Sequence, residues 1–251
     1  MTISGAGAGA GVGAGAGAGV GTGEDVWLPY LARLTPLSLK DAPSRVVVVA
    51  PHPDDEVLGV GGLLALLATR GTRIELVAVT DGEASNPGGS VPPDELAARR
   101  RVETAAALDR LGVRARVTHL GLPDGGADDL EHPVLQALSL RPGEWLLAPW
   151  SRDGHPDHEA VGRACATAAA RDAARLLAFP VWAWHWGTPA DLPWDNALRL
   201  DLPAQVRAAK AAAVAEFVTQ VAPLGPLRED APVLPPYVLA RFARSCEVVF
   251  T

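Results

Sequence analysis

Cysteine is nearly missing from this 251-residue sequence. Cys165 and Cys246 stand far apart with no CxxC spacing, which excludes a disulfide framework and suits a reducing cytoplasm. Basic charge is not in excess either: 22 Lys and Arg against 29 Asp and Glu leave a formal charge of −7. That balance argues against nucleic acid and against an anionic membrane surface as partners. No run of about 18 bulky apolar residues occurs, so no membrane-inserted helix is expected. The N-terminus lacks the basic and Leu-rich regions of a signal peptide. What abounds is glycine, 26 residues in all, and every odd position from Gly5 to Gly23 is one. The Gly-Ala stretch over 1–23 is read as a disordered tail, because one short copy buries too little surface to offset glycine's backbone entropy.

Beyond a lead-in over 24–44, residues 45–251 form one expected domain. A chain that is 48% hydrophobic has ample material for a core, so a bound metal would serve some purpose other than folding. The run RVVVVA (45–50) suits a strand buried on both faces. Further strands are predicted at 73–80, 114–120, 144–149 and 176–184, and helices at 60–70, 94–111, 156–171 and 204–221. This alternation predicts an α/β fold, a Rossmann-like three-layer sandwich with a mostly parallel sheet. Ligands of such sheets sit beyond the carboxyl ends of the strands, where the loops 51–58, 81–93, 121–128 and 150–158 fall.

Chemistry concentrates in two of those loops. Directly after the first predicted strand comes Pro51-His52-Pro53-Asp54-Asp55-Glu56, in which two prolines restrict the backbone around an imidazole and three carboxylates. Acids at a helix start can serve the macrodipole, but three acids with a histidine at the mouth of a buried strand point to a cation. After the fourth strand, His155-Pro156-Asp157-His158 places two histidines at i and i+3. Two His/Asp clusters on one sheet edge could supply two imidazoles and a carboxylate while leaving coordination positions open, as catalytic zinc requires.

These motifs resemble the PIG-L, or LmbE-like, zinc-dependent N-deacetylases. The resemblance rests on PHPDDE with Gly61-Gly62, the TDGE turn at 80–83, Arg100-x-x-Glu103 ending in Leu111-Gly112, and GHPDH at 154–158. It covers about residues 45–220, with Thr219-Gln220 standing where the family usually has Ser-Gln. It implies a hydrolase that removes an N-acetyl or other N-acyl group from a small amino sugar or glycoconjugate. His52, Asp55 and His158 would hold zinc, Asp54 would be the general base, and a protonated His155 would stabilise the oxyanion, oriented or tuned by Asp157. Glu83, Arg100 and Asp124 would meet substrate hydroxyls. Either Asp54 or His155 would protonate the leaving amine.

Read from the residues alone, Arg100 could equally pair with Glu103 on an exposed face, and Glu83 and Asp124 could be turn residues. Trp182, Trp184 and Trp186 alternate, so on a strand they would share one face, as core or as a sugar platform. Three rival readings stand beside the deacetylase. Gly59-Val60-Gly61-Gly62 suggests a dinucleotide fold, but Leu64 occupies the third glycine's place. His52-x-Asp54 with a distant histidine also spells an Fe(II) facial triad, so Fe2+ is an alternative metal. The third is a sugar-binding protein of the same fold without catalysis. The sequence sets no oligomeric state.

Overall fold

The computed structural model describes residues 21–251. The Gly-Ala stretch lies, over residues 1–20, outside the described residues. The strands are β1 (Thr35–Pro36), β2 (Arg45–Ala50), β3 (Arg73–Ala78), β4 (Ala115–His119), β5 (Trp145–Pro149), β6 (Arg175–Phe179), β7 (Ala197–Asp201) and β8 (Cys246–Phe250). They form one 8-stranded sheet in the order β1-β7-β8-β6-β5-β2-β3-β4. Every pairing is parallel except those of β8 with β6 and β7. The helices are α1 (Glu24–Leu31), α2 (Asp55–Thr69), α3 (Pro93–Arg110), α4 (Ala127–Ala137), α5 (Pro156–Asp172), α6 (Ala183–Trp186), α7 (Ala204–Val214), α8 (Val218–Val221) and α9 (Pro236–Leu239).

The apolar run of β2 explains the three layers. Side chains alternate across a strand, and Val46, Val48 and Ala50 enter the core beneath α2, α3 and α7. Val47 and Val49 join the opposite core with Leu130 and Val134 of α4 and Val161 of α5. The expected α/β sandwich is therefore present, with an antiparallel strand added. β2 lies between β3 and β5, so the chain winds outward through β3 and β4 and then crosses to the other side of β2. The loops after β2 and β5 consequently straddle the point where winding reverses, the place where open α/β sheets bind ligands.

Three predicted elements need correction. The strand expected at 176–184 ends at Phe179, and Trp184 and Trp186 belong to α6; the carboxylate of Asp153 accepts the N–H groups of Val181, Trp182 and Ala183 and turns the chain there. The helix expected at 60–70 starts at Asp55 and is broken at Val60 (φ −138, ψ 18). The last long helix stops at Val214, and 218–221 forms a separate turn. Among the described residues, no helix is long and apolar enough to cross a membrane.

Candidate active site

Both motifs are set by the ends of strands. The β2 run leads into Pro51–Asp54, and α2 begins at Asp55. Asp54 takes φ 131, a left-handed conformation unusual for a residue with a side chain. Such strain persists where surrounding contacts over-determine it; here the Asp54 carbonyl accepts from Val57 and Leu58 N–H, and Glu56 accepts Asp54 N–H. On the other side, α5 starts with Pro156 in its first turn, and the His155 side chain caps it by accepting Asp157 N–H at its Nδ1. That cap fixes His155, Asp157 and His158 on one turn.

The structure brings His52, Asp55 and His158 together. His52 Nδ1 stands 3.2 Å from His158 Nε2 and 3.4 Å from Asp55 Oδ2, and His158 Nε2 is 3.2 Å from Asp55 Oδ2. Zinc donors at 2.0–2.1 Å on the corners of a tetrahedron stand about 3.3 Å apart, so the three gaps fit one ion. His52, His155 and His158 also offer donor atoms within 4.8 Å of one another, as do His52, Asp124 and Asp157. The far nitrogen of both His52 and His158 faces carboxylate, the arrangement typical of metal-binding histidines. His158 Nδ1 is 2.8 Å from Asp153 Oδ2, and His52 Nε2 is 3.2 Å from both Asp157 Oδ2 and Asp124 Oδ1.

The charges are packed tightly. Burial, followed by the Asp55 and Glu56 charges, holds the Asp54 carboxyl well above the usual carboxylate range. Burial opposes the charged form of His158, but the Asp55 charge and the Asp153 hydrogen bond overturn it and raise the imidazole to about 9. Burial also works against ionised Asp55, yet His158 and His52 pull that carboxyl down. His155 goes the other way: burial and then the neighbouring His158 and His52 lower it to about 3. It is therefore neutral, not the protonated imidazole expected from the sequence, because burial and two neighbouring imidazoles disfavour its charge; with Nδ1 accepting from Asp157 N–H, its remaining ring hydrogen is on Nε2.

Several expected residues sit differently from the picture drawn from sequence. The Asp157 carboxylate meets His52 and Gly125 N–H, and Asp157 touches His155 through its backbone. Asp124 and Glu83 clip two loops together, since Glu83 Oε1 accepts Asp124 N–H and Asp124 Oδ2 accepts Ala84 N–H. Arg100 is not on an exposed face paired with Glu103. It is buried and donates to Gly82 O, Ser85 Oγ and Thr219 Oγ1, while Glu103 accepts from Thr219. Gln220 donates its side-chain amide to Pro53 O and so holds the ligand loop. Asp153 escaped the sequence reading; its one signal is an acid five residues ahead of His158 at the end of a strand.

Fold and donor set together define an α/β protein with three donors suited to a metal at the reversal point of a wound sheet. The profile of the GlcNAc-PI de-N-acetylase family, PIG-L, matches residues 47–169. A 1D-myo-inositol 2-acetamido-2-deoxy-alpha-D-glucopyranoside deacetylase of Streptomyces avermitilis is 32% identical over 225 residues, covering 70% of this chain and 73% of its own. The diacetylchitobiose deacetylase of Thermococcus kodakarensis is 32% identical over 127 residues, 47% of this chain and 46% of its own length. Among solved structures, a conserved protein of Thermus thermophilus superposes with TM-score 0.50 at 30% identity, covering 69% of this chain and 80% of that one. The chain belongs to the PIG-L family. It spans about half the length of some curated relatives it matches, 46% and 57% of two of them.

Proposed function

We propose that the protein is a zinc-dependent N-deacetylase acting on an amino sugar or amino-sugar conjugate. The triangle of His52 Nδ1, Asp55 Oδ2 and His158 Nε2, with the Asp54 carboxyl next in the chain, carries this reading. The names of the relatives, both deacetylases, support it.

Zinc held by these three donors would acidify a bound water towards neutrality and polarise an acyl carbonyl. The chain's own residues then have distinct tasks. Asp54, made more basic by burial and by its acidic neighbours, takes the proton of the attacking water. His155 donates its Nε2–H to the carbonyl oxygen, a bond that strengthens as negative charge develops there. The new C–O bond forms first and pushes the carbonyl pair onto the oxygen that His155 holds; as that pair returns the C–N bond breaks, the amine departs with the proton Asp54 returns, and acetate remains. Asp153, Asp124 and Asp157 hold the two ligand imidazoles in orientation. Glu83 and Arg100 shape the pocket by tying its loops. The two unpaired cysteines accord with work in the cytoplasm.

The test is acetate release from a panel of N-acetyl amino sugars by purified protein with and without chelator, alongside metal analysis. Stoichiometric zinc and chelator-sensitive release are expected. Full activity without a divalent ion overturns the zinc assignment, iron in its place changes the metal, and sugar binding without release from any substrate leaves a binding protein.

A further inference from the structure

Among the described residues, the Asp54 carboxyl makes no hydrogen bond or ion pair, so its aim is set by the backbone that carries it. That backbone is gripped on both sides of the Asp54 Cα. The peptide after it is fixed by its carbonyl, which accepts Val57 N–H at 2.9 Å and Leu58 N–H at 2.8 Å. The peptide before it joins Pro53 to Asp54; its carbonyl accepts the Gln220 amide, and its N–H donates to Glu56 Oε2 at 3.3 Å. Peptide units are planar, so holding both planes fixes φ and ψ between them, and the φ of 131 persists. Glu56 is an unusual residue for the start of a helix. It is the second residue of α2, where a glutamate ordinarily serves the macrodipole from the surface. This one has no exposed surface, and among the described residues its Oε1 has no hydrogen-bond partner. Burying a carboxyl with an unpaired oxygen costs stability, and the needs of the helix do not require it.

We propose that Glu56 is the positioning residue of the general base: by holding the peptide that joins Pro53 to Asp54, it keeps the Asp54 carboxyl turned to where water attacks. The proposal rests on the deacetylase reading, with Asp54 as base. Without the Glu56 acceptor that peptide can rotate, and Asp54 relaxes towards the negative φ that residues with side chains prefer. Its carboxyl swings with the Cα that bears it. A misplacement of about 1 Å costs on the order of 10²-fold in rate. The task needs neither a proton nor a charge from Glu56, only an acceptor oxygen at that point. Glutamine is therefore the informative replacement.

The experiment measures acetate release by the zinc-loaded wild type, Glu56→Ala, Glu56→Gln, Asp54→Asn and Asp54→Asn/Glu56→Ala on an N-acetyl amino sugar that the wild type cleaves. The zinc content of each variant and amide hydrogen exchange at Asp54 are followed alongside. Glu56→Ala should lower kcat about 10–100-fold with KM and zinc content unchanged, and Glu56→Gln should recover most of that loss. In the Asp54→Asn background the same alanine should lower kcat no further, because a residue that acts through Asp54 has nothing left to position. Exchange at the Asp54 amide should quicken about tenfold in Glu56→Ala while the amides of Val57 and Leu58 keep their rates. A loss carried in KM, a loss of zinc, or an additive loss in the double variant overturns the role. If Glu56→Ala does not fold, Glu56→Asp, one methylene shorter, carries the same comparison. If the wild type releases acetate from no sugar, the deacetylase reading falls and exchange decides alone: faster exchange at Asp54 upholds the grip of Glu56 on that peptide, and unchanged exchange removes it as well.

Discussion

Lys210 Nζ and Glu247 Oε1 meet at 2.6 Å inside the break of α2. Where Val60 leaves helical geometry, the first half of α2 ends with a free carbonyl and the second half begins with free N–H groups. Lys210 donates to Leu58 O, and the Glu247 carboxylate accepts Gly62 and Leu63 N–H at 2.7 and 2.8 Å. One buried ion pair therefore caps both halves, and the short segment carrying Asp55 takes a direction that a continuous helix would forbid. Gly62 permits the approach, since a Cβ there would stand 3.0 Å from Glu247 Oε1.

Breaking that pair should be costly. Lys210→Met leaves Glu247 charged and buried, a change worth about 3–5 kcal/mol, read from denaturant unfolding of the zinc-loaded protein. Replacing both partners with apolar residues is often neutral for a simple buried pair. Here Lys210→Met/Glu247→Leu should stay destabilised by about 1–3 kcal/mol, because the Leu58 carbonyl and two N–H groups lose their partners. Full recovery in the double variant would show that the break of α2 does not depend on the pair.

Asp153 should govern zinc affinity without binding zinc. Its carboxylate orients His158 and accepts three N–H groups at the end of β6. Asp153→Asn keeps the shape but removes the charge facing Nδ1, and a loss of about 10–100-fold in zinc affinity is expected. Competition with a chromophoric chelator measures it; an unchanged affinity would detach Asp153 from the centre.

On the proposed mechanism Asp54 couples activity to strain. Asp54→Gly relieves a φ of 131 and removes a crowded buried carboxyl, so the zinc-free protein should gain about 1 kcal/mol, allowing for the entropy glycine loses on folding. Zinc should still bind, while turnover should fall by about 10²–10⁴. Asp54→Asn, which keeps the side chain at that φ, should lose turnover with less gain in stability. Melting temperature and acetate release separate the two effects.

The sequence made the ligand-bearing parts of this fold legible and the supporting parts obscure. RVVVVA announces β2 because a strand buried on both faces is apolar throughout, and the two His/Asp motifs are contiguous. β8 gives no comparable signal: its CEVVF follows a proline-rich stretch, and its inward Glu247 contradicts apolar patterning until Lys210, 37 residues earlier, closes the pair. The tryptophans misled for a related reason. Their alternation matches a strand, but the Asp153 carboxylate diverts the chain after Phe179, a contact between residues about 28 apart that no local period reports.

Protons and zinc should compete for the same donors. In the zinc-free protein His158 is raised to about 9, with burial opposing its charged form and Asp55 and Asp153 prevailing; His52 is likewise raised, against burial, by Asp124, Asp157 and Asp55. A group raised on folding contributes stability that is complete below its unfolded value, about 6.5 for histidine, and is lost as pH climbs through the folded one. The zinc-free protein should therefore lose stability from His158 between about pH 6.5 and 9. Zinc needs neutral imidazoles, so the stability gained on adding zinc should widen over that interval, and binding near pH 7 should release about two protons per ion. Calorimetric zinc titrations in buffers of different ionisation enthalpy count those protons. A count of zero, or a zinc stabilisation that shrinks from pH 6.5 to 9, would mean that zinc binds elsewhere than at His52 and His158.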